Sequence, residues 1–220
     1  MITILYYTSN KEKKMFEKRV RQNILKVSNG LPIISISQEP IKFGKNICVG
    51  NVGVSGFNMF RQVQIGLREV KTPYVISAEA DCLYPPDYFK FIPPRIDAIY
   101  RNSNLYVMPD ARDYYFYKKE GATHAQVVGT KYYLERLNLL FKGAPAWSTK
   151  EKNFPKERHK MSDIVSKEMI MYFRTENPVV QIKTHRGMRY YTHSDRTPIH
   201  DIPYWKNGKK VRSYYLHGLK

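Results

Sequence analysis

Tyr74-Val75-Ile76-Ser77-Ala78-Glu79-Ala80-Asp81-Cys82 is the stretch on which the fold turns. Five residues suited to a buried strand run into two carboxylates placed two positions apart, where the apolar run stops. A carboxylate there is a poor packing element, because an unpaired buried charge is costly, so something cationic is expected to face it. Residues two apart on an extended segment point the same way. Glu79 and Asp81 can therefore converge on one divalent ion, and their hard oxygen donors suit magnesium or manganese. A salt bridge to a nearby arginine would use the same residues.

Upstream of this strand the pattern alternates. Residues 2–8 are a β-branched and aromatic run that ends in Thr8-Ser9-Asn10, which are cap and turn formers. Apolar positions recur at helical spacing over 11–27 and stop at Asn29-Gly30. A second strand is expected at 31–37, a glycine-bearing loop at 41–56, and a second helix at 57–70. The order strand, helix, strand, helix, strand argues an α/β domain, in which ligands bind outside the carboxyl ends of the strands. That directs attention to residues 8–10, 38–39 and 79–82. Downstream, strands are expected at 104–108, 125–128 and 179–183, and helices at 131–141 and 162–173. A polar loop is expected over 142–160, with a tail that wraps over the domain. The division anticipated is a ligand-binding core over 1–141 and, in the same domain, a later part with a basic C-terminal wrap over 142–220.

The chain has 220 residues, 42% of them hydrophobic and 14% aromatic, which excludes a largely disordered chain. Its longest apolar runs are strand-sized and far short of the roughly 20 residues of a membrane span. Two cysteines, Cys48 and Cys82, exclude a disulfide framework. With no signal-peptide pattern at residues 1–7, a cytoplasmic location is expected. The formal charge of +18 points to a nucleic acid, an anionic membrane surface or a phosphate-rich small molecule as partner.

Residues 63–89, VQIGLREVKTPYVISAEADCLYPPDYF, resemble the core of GT-A glycosyltransferases of the inverting, family-two-like kind. Gly66-Leu67, Tyr74-Val75 and Glu79-x-Asp81 stand where that family has its helix end, its strand and its acidic motif. Tyr6-Tyr7-Thr8-Ser9-Asn10 is similar to the nucleotide-side turn after the family's first strand. The sequence departs from the pattern by placing Glu79 first and by having Cys82 where a further acidic residue is frequent. The resemblance implies a single α/β GT-A domain, a mixed sheet flanked by helices with a basic C-terminal extension. It also implies a nucleotide-sugar donor such as a UDP sugar, a divalent metal (Mn or Mg) and transfer of a hexosyl or pentosyl group.

The resemblance also assigns roles. Asp81 is the main metal ligand with Glu79 as partner, and His185, at the end of the late strand, is the third ligand, with His193 and His200 as competitors. Thr8, Ser9, Asn10 and Glu39 are donor-binding candidates, with Gln64 matching approximately an Asn of the family pattern. Asp163 is the candidate catalytic base, with Asp110 and Asp113 as rivals.

From residue 142 onward there are 17 Lys+Arg against 7 Asp+Glu, interleaved with aromatics as in Arg189-Tyr190-Tyr191 and Tyr204-Trp205-Lys206. A donor diphosphate needs only a few positive groups, so the surplus is assigned to the acceptor. The acceptor expected is a hydroxymethylated base, 5-hydroxymethylcytosine, in DNA, since some bacteriophage-type GT-A enzymes glycosylate modified bases. The alternatives are a lipid-linked or cell-surface glycan, with the basic face resting on anionic membrane, and a non-catalytic nucleic-acid-binding protein on the same scaffold.

Overall fold

A computed structural model describes residues 1–119, 121–150, 169–186 and 194–219. In chain order the elements are β1 (Ile2–Tyr7), α1 (Lys14–Val27), β2 (Ile33–Ser37), β3 (Lys45–Cys48), α2 (Gly56–Leu67), β4 (Tyr74–Glu79) and β5 (Cys82–Leu83). They continue with β6 (Ile99–Asn102), β7 (Leu105–Pro109), β8 (Phe116–Lys118), β9 (Gln126–Gly129), α3 (Thr130–Leu140), β10 (Ile170–Phe173), β11 (Val179–Lys183), β12 (Asp201–Ile202), β13 (Lys206–Asn207) and α4 (Gly208–Arg212).

Seven strands form the main sheet in the order β10-β6-β9-β4-β1-β2-β3. Neighbours are parallel except along β9, which runs antiparallel to both β4 and β6. A smaller sheet, β5-β11-β7-β8, lies beyond the end of β4. The architecture is the mixed α/β sheet flanked by helices.

The period-two rule places β1's side chains alternately on the two faces. Ile4 and Tyr6 pack with Phe16, Val20, Ile24 and Val27 of α1. Leu5 and Tyr7 pack with Phe57, Val63 and Leu67 of α2 and with Tyr133 and Leu137 of α3. Each such fully buried side chain contributes about 1.5–3 kcal/mol relative to exposure. Glycine is required where a helix comes very close to the sheet. A Cβ on Gly66 of α2 would lie 2.3 Å from Ile36 Cδ1 and 2.5 Å from Leu5 Cδ1.

Two expectations are corrected. The loop expected over 41–56 contains β3, whose polar KNIC sequence gives no apolar signal because it is an edge strand with mostly exposed or half-buried side chains. It is held by pairing to β2, with Asn46 Nδ2 donating to Ser35 Oγ at 3.0 Å and Ser37 Oγ at 2.9 Å. The helix expected over 162–173 gives way to β10 at its end, where Ile170–Phe173 extends the main sheet beside β6. Residues 162–168 lie outside the described residues.

The described residues of 142–220 are woven into the core. β10 closes one edge of the main sheet and β11 sits between β5 and β7. Residues after 194 return across the molecule: Trp205 Nε1 donates to Pro178 O at 2.6 Å, and Arg212 Nε donates to Asp110 O at 2.6 Å. A π-helical turn at Ser213–His217 then reaches α1, where Arg19 Nη1 donates to Tyr215 O.

Candidate active site

The carboxyl ends of β1, β2 and β4 meet the start of α2 in one cleft with about 610 Å³ of empty volume, open on one side. β1 supplies Tyr7, Thr8 and Ser9, and Gln38 follows β2. Glu79, Ala80 and Asp81 come from the end of β4, and Ser55, Met59 and Gln62 come from α2 and its cap. Glu12 completes the wall.

The acidic motif sits as the sequence places it. Glu79 and Asp81, both half-buried, line the cleft from either side of Ala80. Tyr7 Oη donates to Glu79 Oε1 at 2.8 Å, across the β1/β4 pairing that puts Tyr7 opposite Glu79. Gln181 Nε2 of β11 donates to Asp81 Oδ2 at 2.9 Å. Burial, and next the charge of Asp81, push the Glu79 carboxyl up to about 7, against the opposing pull of the Tyr7 hydrogen bond and Lys183. Glu12 is also pushed up to about 7, chiefly by burial, while its hydrogen bond from Thr184 Oγ1 opposes the shift. Three carboxylates with upward pressure on two of them make a local field that favours a cation.

The residues after β1 line the cleft through Thr8 and Ser9 and also tie the fold together. Thr8 Oγ1 donates to Glu17 Oε1 at 2.8 Å inside the fold and accepts from Asn10 N at 2.9 Å. Asn10, at φ 55°, accepts through Oδ1 from the backbone N–H groups of Gln38 (2.8 Å) and Glu39 (2.9 Å) and so ties the ends of β1 and β2 together. These residues do not cap α1, whose first residue is Lys14 and which has no side-chain cap at Lys13. Ser9 lines the cleft. Glu39 lies outside the lining, exposed, 3.7 Å from Lys14 Nζ.

Gln64 is also outside the cleft: it is buried between helices, donating to Asn138 Oδ1 at 2.8 Å and accepting from Arg61 Nη1 at 2.9 Å. Gln62, two positions earlier and so on another face of α2, is the helix glutamine in the cleft. Its Nε2 donates to Thr8 O at 2.9 Å. Helical phase over 57–67 separates these two glutamines once the buried stripe is known.

The loop before α2 is fastened from three directions. Gln38 Nε2 donates to Gly53 O at 2.9 Å while Gly53 N donates to Gln38 Oε1 at 3.2 Å. Asn58 Nδ2 donates to Val52 O at 2.6 Å, and Asn58 Oδ1 accepts from Ser148 N at 2.8 Å. Ser55 caps the helix, accepting from Asn58 N at 3.0 Å. The amide-rich start of α2 therefore opens at the cleft, a position that favours anions.

His185 stands two residues past β11, whose Ile182 N donates to Asp81 O at 2.8 Å; its own side chain is exposed and is not among the cleft residues. Its Nδ1 is 3.5 Å from Asp110 Oδ1. Asp163 and His193 lie outside the described residues. His200 packs edge-on against Tyr114 and is not among the cleft residues.

One group escaped sequence reading. Donor atoms of Glu79, Cys82 and His124 lie within 4.8 Å of one another, with Cys82 and His124 buried. Burial holds His124 well below its ordinary value, and therefore neutral, and pushes the Cys82 thiol well up. His124 precedes β9 by one turn, and no sequence motif marks it.

Among solved structures, a glycosyltransferase involved in glycosylation of the major capsid of PBCV-1 matches 84% of this chain and 95% of its own, with a TM-score of 0.52 and 13% identity. The fold is that of a GT-A glycosyltransferase. Other chains sharing the GT-A arrangement match at lower scores. S. aureus TarS residues 1–349, in complex with UDP-GlcNAc, give a TM-score of 0.49 at 9% identity over 87% of this chain and 62% of that one. The mannosyltransferase PcManGT of Pyrobaculum calidifontis, in complex with GDP-Man and Mn2+, gives 0.47 at 11% identity over 84% and 58%. The chain spans about half the length of some of the structures it matches, such as the bifunctional IspDF of Campylobacter jejuni, at 50%. No protein-family model and no curated protein matches the sequence. Among the described residues no helix is long and apolar enough to cross a membrane.

Proposed function

We propose that this chain transfers a sugar from a nucleotide-sugar donor to an acceptor hydroxyl, with a divalent cation held at the acidic motif. The observation that carries the reading is that Glu79 and Asp81 both line a cleft at the carboxyl ends of β1 and β4, beside the start of α2. Carboxylate donors fit manganese or magnesium. Asp81 is the main ligand and Glu79 its partner. His185 is the third, with Asp110 beside its Nδ1 in the manner of the carboxylates that orient ligating histidines. When bound, the ion supplies positive charge against which a diphosphate leaves.

The chain's own residues hold and orient. Tyr7 and Gln181 fix the two carboxylates by hydrogen bonds at 2.8 and 2.9 Å. Ser9, Gln38 and the 53–55 loop form the wall for the donor's nucleoside, and the start of α2 favours its phosphate. Asp163 is the proposed base that takes the acceptor proton, and residues 142–220 form the acceptor side.

The acceptor suggested by a charge of +18 is a hydroxymethylated base in DNA. That choice rests on charge and on aromatic residues of the tail, and the structural neighbours lend it no support. The transferase reading is tested by hydrolysis of a panel of nucleotide sugars with and without Mn2+. Metal-dependent turnover that is lost in Asp81→Asn supports it, and no turnover with any donor overturns it. Mass spectrometry of hydroxymethylcytosine-containing DNA after incubation tests the DNA acceptor: an unchanged base mass rejects it.

A further inference from the structure

The segment 11–26 carries seven Lys+Arg and two Asp+Glu, and the structure sorts these charges by side. Both acids turn inward: Glu12 lines the cleft and accepts from Thr184, and Glu17 is buried against Thr8 and Arg21. The lysines remain outside. At 100° per residue, Lys14, Met15, Lys18, Gln22, Leu25 and Lys26 fall within an arc of about 120°. All six are exposed, opposite the buried Phe16, Val20, Ile24 and Val27. Lys11 and Lys13, just before the helix, are exposed as well.

Two large apolar side chains stand in this stripe, Met15 at 55% and Leu25 at 58% exposure. The C-terminal turn adds more beside it: the Arg19 guanidinium lies 5.4 Å over the Tyr214 ring, and Tyr214 and Leu219 are exposed at 46% and 61%. Among the described residues the only acid within ion-pair distance of the stripe is Glu39, 3.7 Å from Lys14, and both side chains of that pair are largely in water, where such a pair is weak.

We propose that the outer face of α1, with the adjoining C-terminal turn, docks on an anionic phospholipid bilayer. Lysines along the stripe attract lipid phosphates, and the aliphatic side chains among them can enter the headgroup region. Nucleic acid matches the charge but not the aliphatics Met15, Leu25 and Leu219, and the ring beside them, Tyr214, already has the Arg19 guanidinium over it. A convex helix face also suits a flat surface. Lys14, at the start of α1, sits beside Glu39 at the cleft's edge, so docking brings the cleft to the membrane rim. The docking stands whether or not the transferase reading holds; only its consequence, a lipid-anchored acceptor, rests on that reading.

The test is co-sedimentation of the full chain with phosphatidylcholine vesicles and with vesicles carrying 30% phosphatidylglycerol, in about 50 and 300 mM salt, beside a gel shift with duplex DNA. The expected result is binding to the anionic vesicles only, weakened by salt. It should fall at least tenfold in Lys18→Glu/Lys26→Glu and several-fold in Met15→Ser/Leu25→Ser, with DNA binding unaltered in the latter. All four positions are exposed, and circular dichroism verifies folding. Equal binding to neutral and anionic vesicles, no vesicle binding, or vesicle binding unchanged in both variants overturns the proposal. So does a Lys18→Glu/Lys26→Glu variant that loses DNA binding and keeps vesicle binding. Donor hydrolysis is measured on the same variants, and its retention separates failure of docking from failure of the transferase reading.

Discussion

Tyr7 and Glu79 are joined by a hydrogen bond of 2.8 Å between side chains 72 positions apart, from neighbouring parallel strands paired in register. The pairing makes the acidic motif part of the sheet. Burial raises the Tyr7 hydroxyl well above its usual range, so it stays a donor throughout the physiological pH range. Tyr7→Phe is expected to cost about 1–2 kcal/mol, because a half-buried carboxylate loses its donor. Urea unfolding with an unchanged m-value measures it. The same change should move the Glu79 pKa further up, since the lost bond favoured the ionised form.

The two carboxylates of the motif should be unequal. Asp81→Asn is expected to lower metal-dependent donor hydrolysis by a hundredfold or more, while Glu79→Gln loses about tenfold. Both variants should keep their folds by circular dichroism. Equal losses would show that the two share the ion evenly.

Glu12 gives the chain a pH-dependent stability whose sign follows from its raised value. An unfolded Glu ionises near 4.5, whereas in the fold burial delays ionisation to about 7. Between those values the folded state holds the extra proton, so stability falls as pH rises from about 4.5 to 7 and is flat above. Glu12 is partly exposed, and after allowance for solvent screening the loss is on the order of 1–2 kcal/mol. Glu12→Gln should make this part of the curve shallower, the remaining slope belonging to Glu79, as read from melting temperatures at pH 5, 6, 7 and 8.

Asn58 holds the cleft wall by bonds to Val52 O, Gly53 O and Ser148 N. Asn58→Ala leaves Val52 O and Ser148 N without this partner, while Gly53 O keeps Gln38 Nε2, and an expected loss of about 1–3 kcal/mol follows. Increased hydrogen exchange confined to residues 50–55 and 145–150 would show that the damage is local.

Gly129 at the end of β9 admits no side chain, since a Cβ there would lie 1.8 Å from Ile96 O, a backbone atom. Gly129→Ala should destabilise by about 1–3 kcal/mol. Gly30→Ala makes a useful comparison: its Cβ meets nothing within 4 Å, so any loss there comes from the backbone at φ 73°.

Most of the core elements were legible because their signals are local. The apolar runs of β1, β2, β4 and β11 and the periodicity of α1, α2 and α3 lie within single windows of sequence. Elements made by partners were not. β3 is polar because one side of it is open, and β10 is a strand because β6 offers it an edge. Neither partner is visible in a short window.

The sequence by itself determined where to look, since an apolar strand that ends in Glu79-Ala80-Asp81 puts two carboxylates at the strand end where α/β sheets bind their ligands. It also determined the excess of positive charge. Tertiary structure alone decided which neighbours serve that motif. Thr8 and Asn10 became internal ties, Gln62 took the place expected of Gln64, and Tyr7, Gln181 and Glu12 came to the carboxylates from three other elements. It also turned the two acids of 11–26 inward and left the lysines outside. Composition counts charges along a chain, whereas a partner or a membrane meets only those that the packing of α1 against the sheet leaves on the surface.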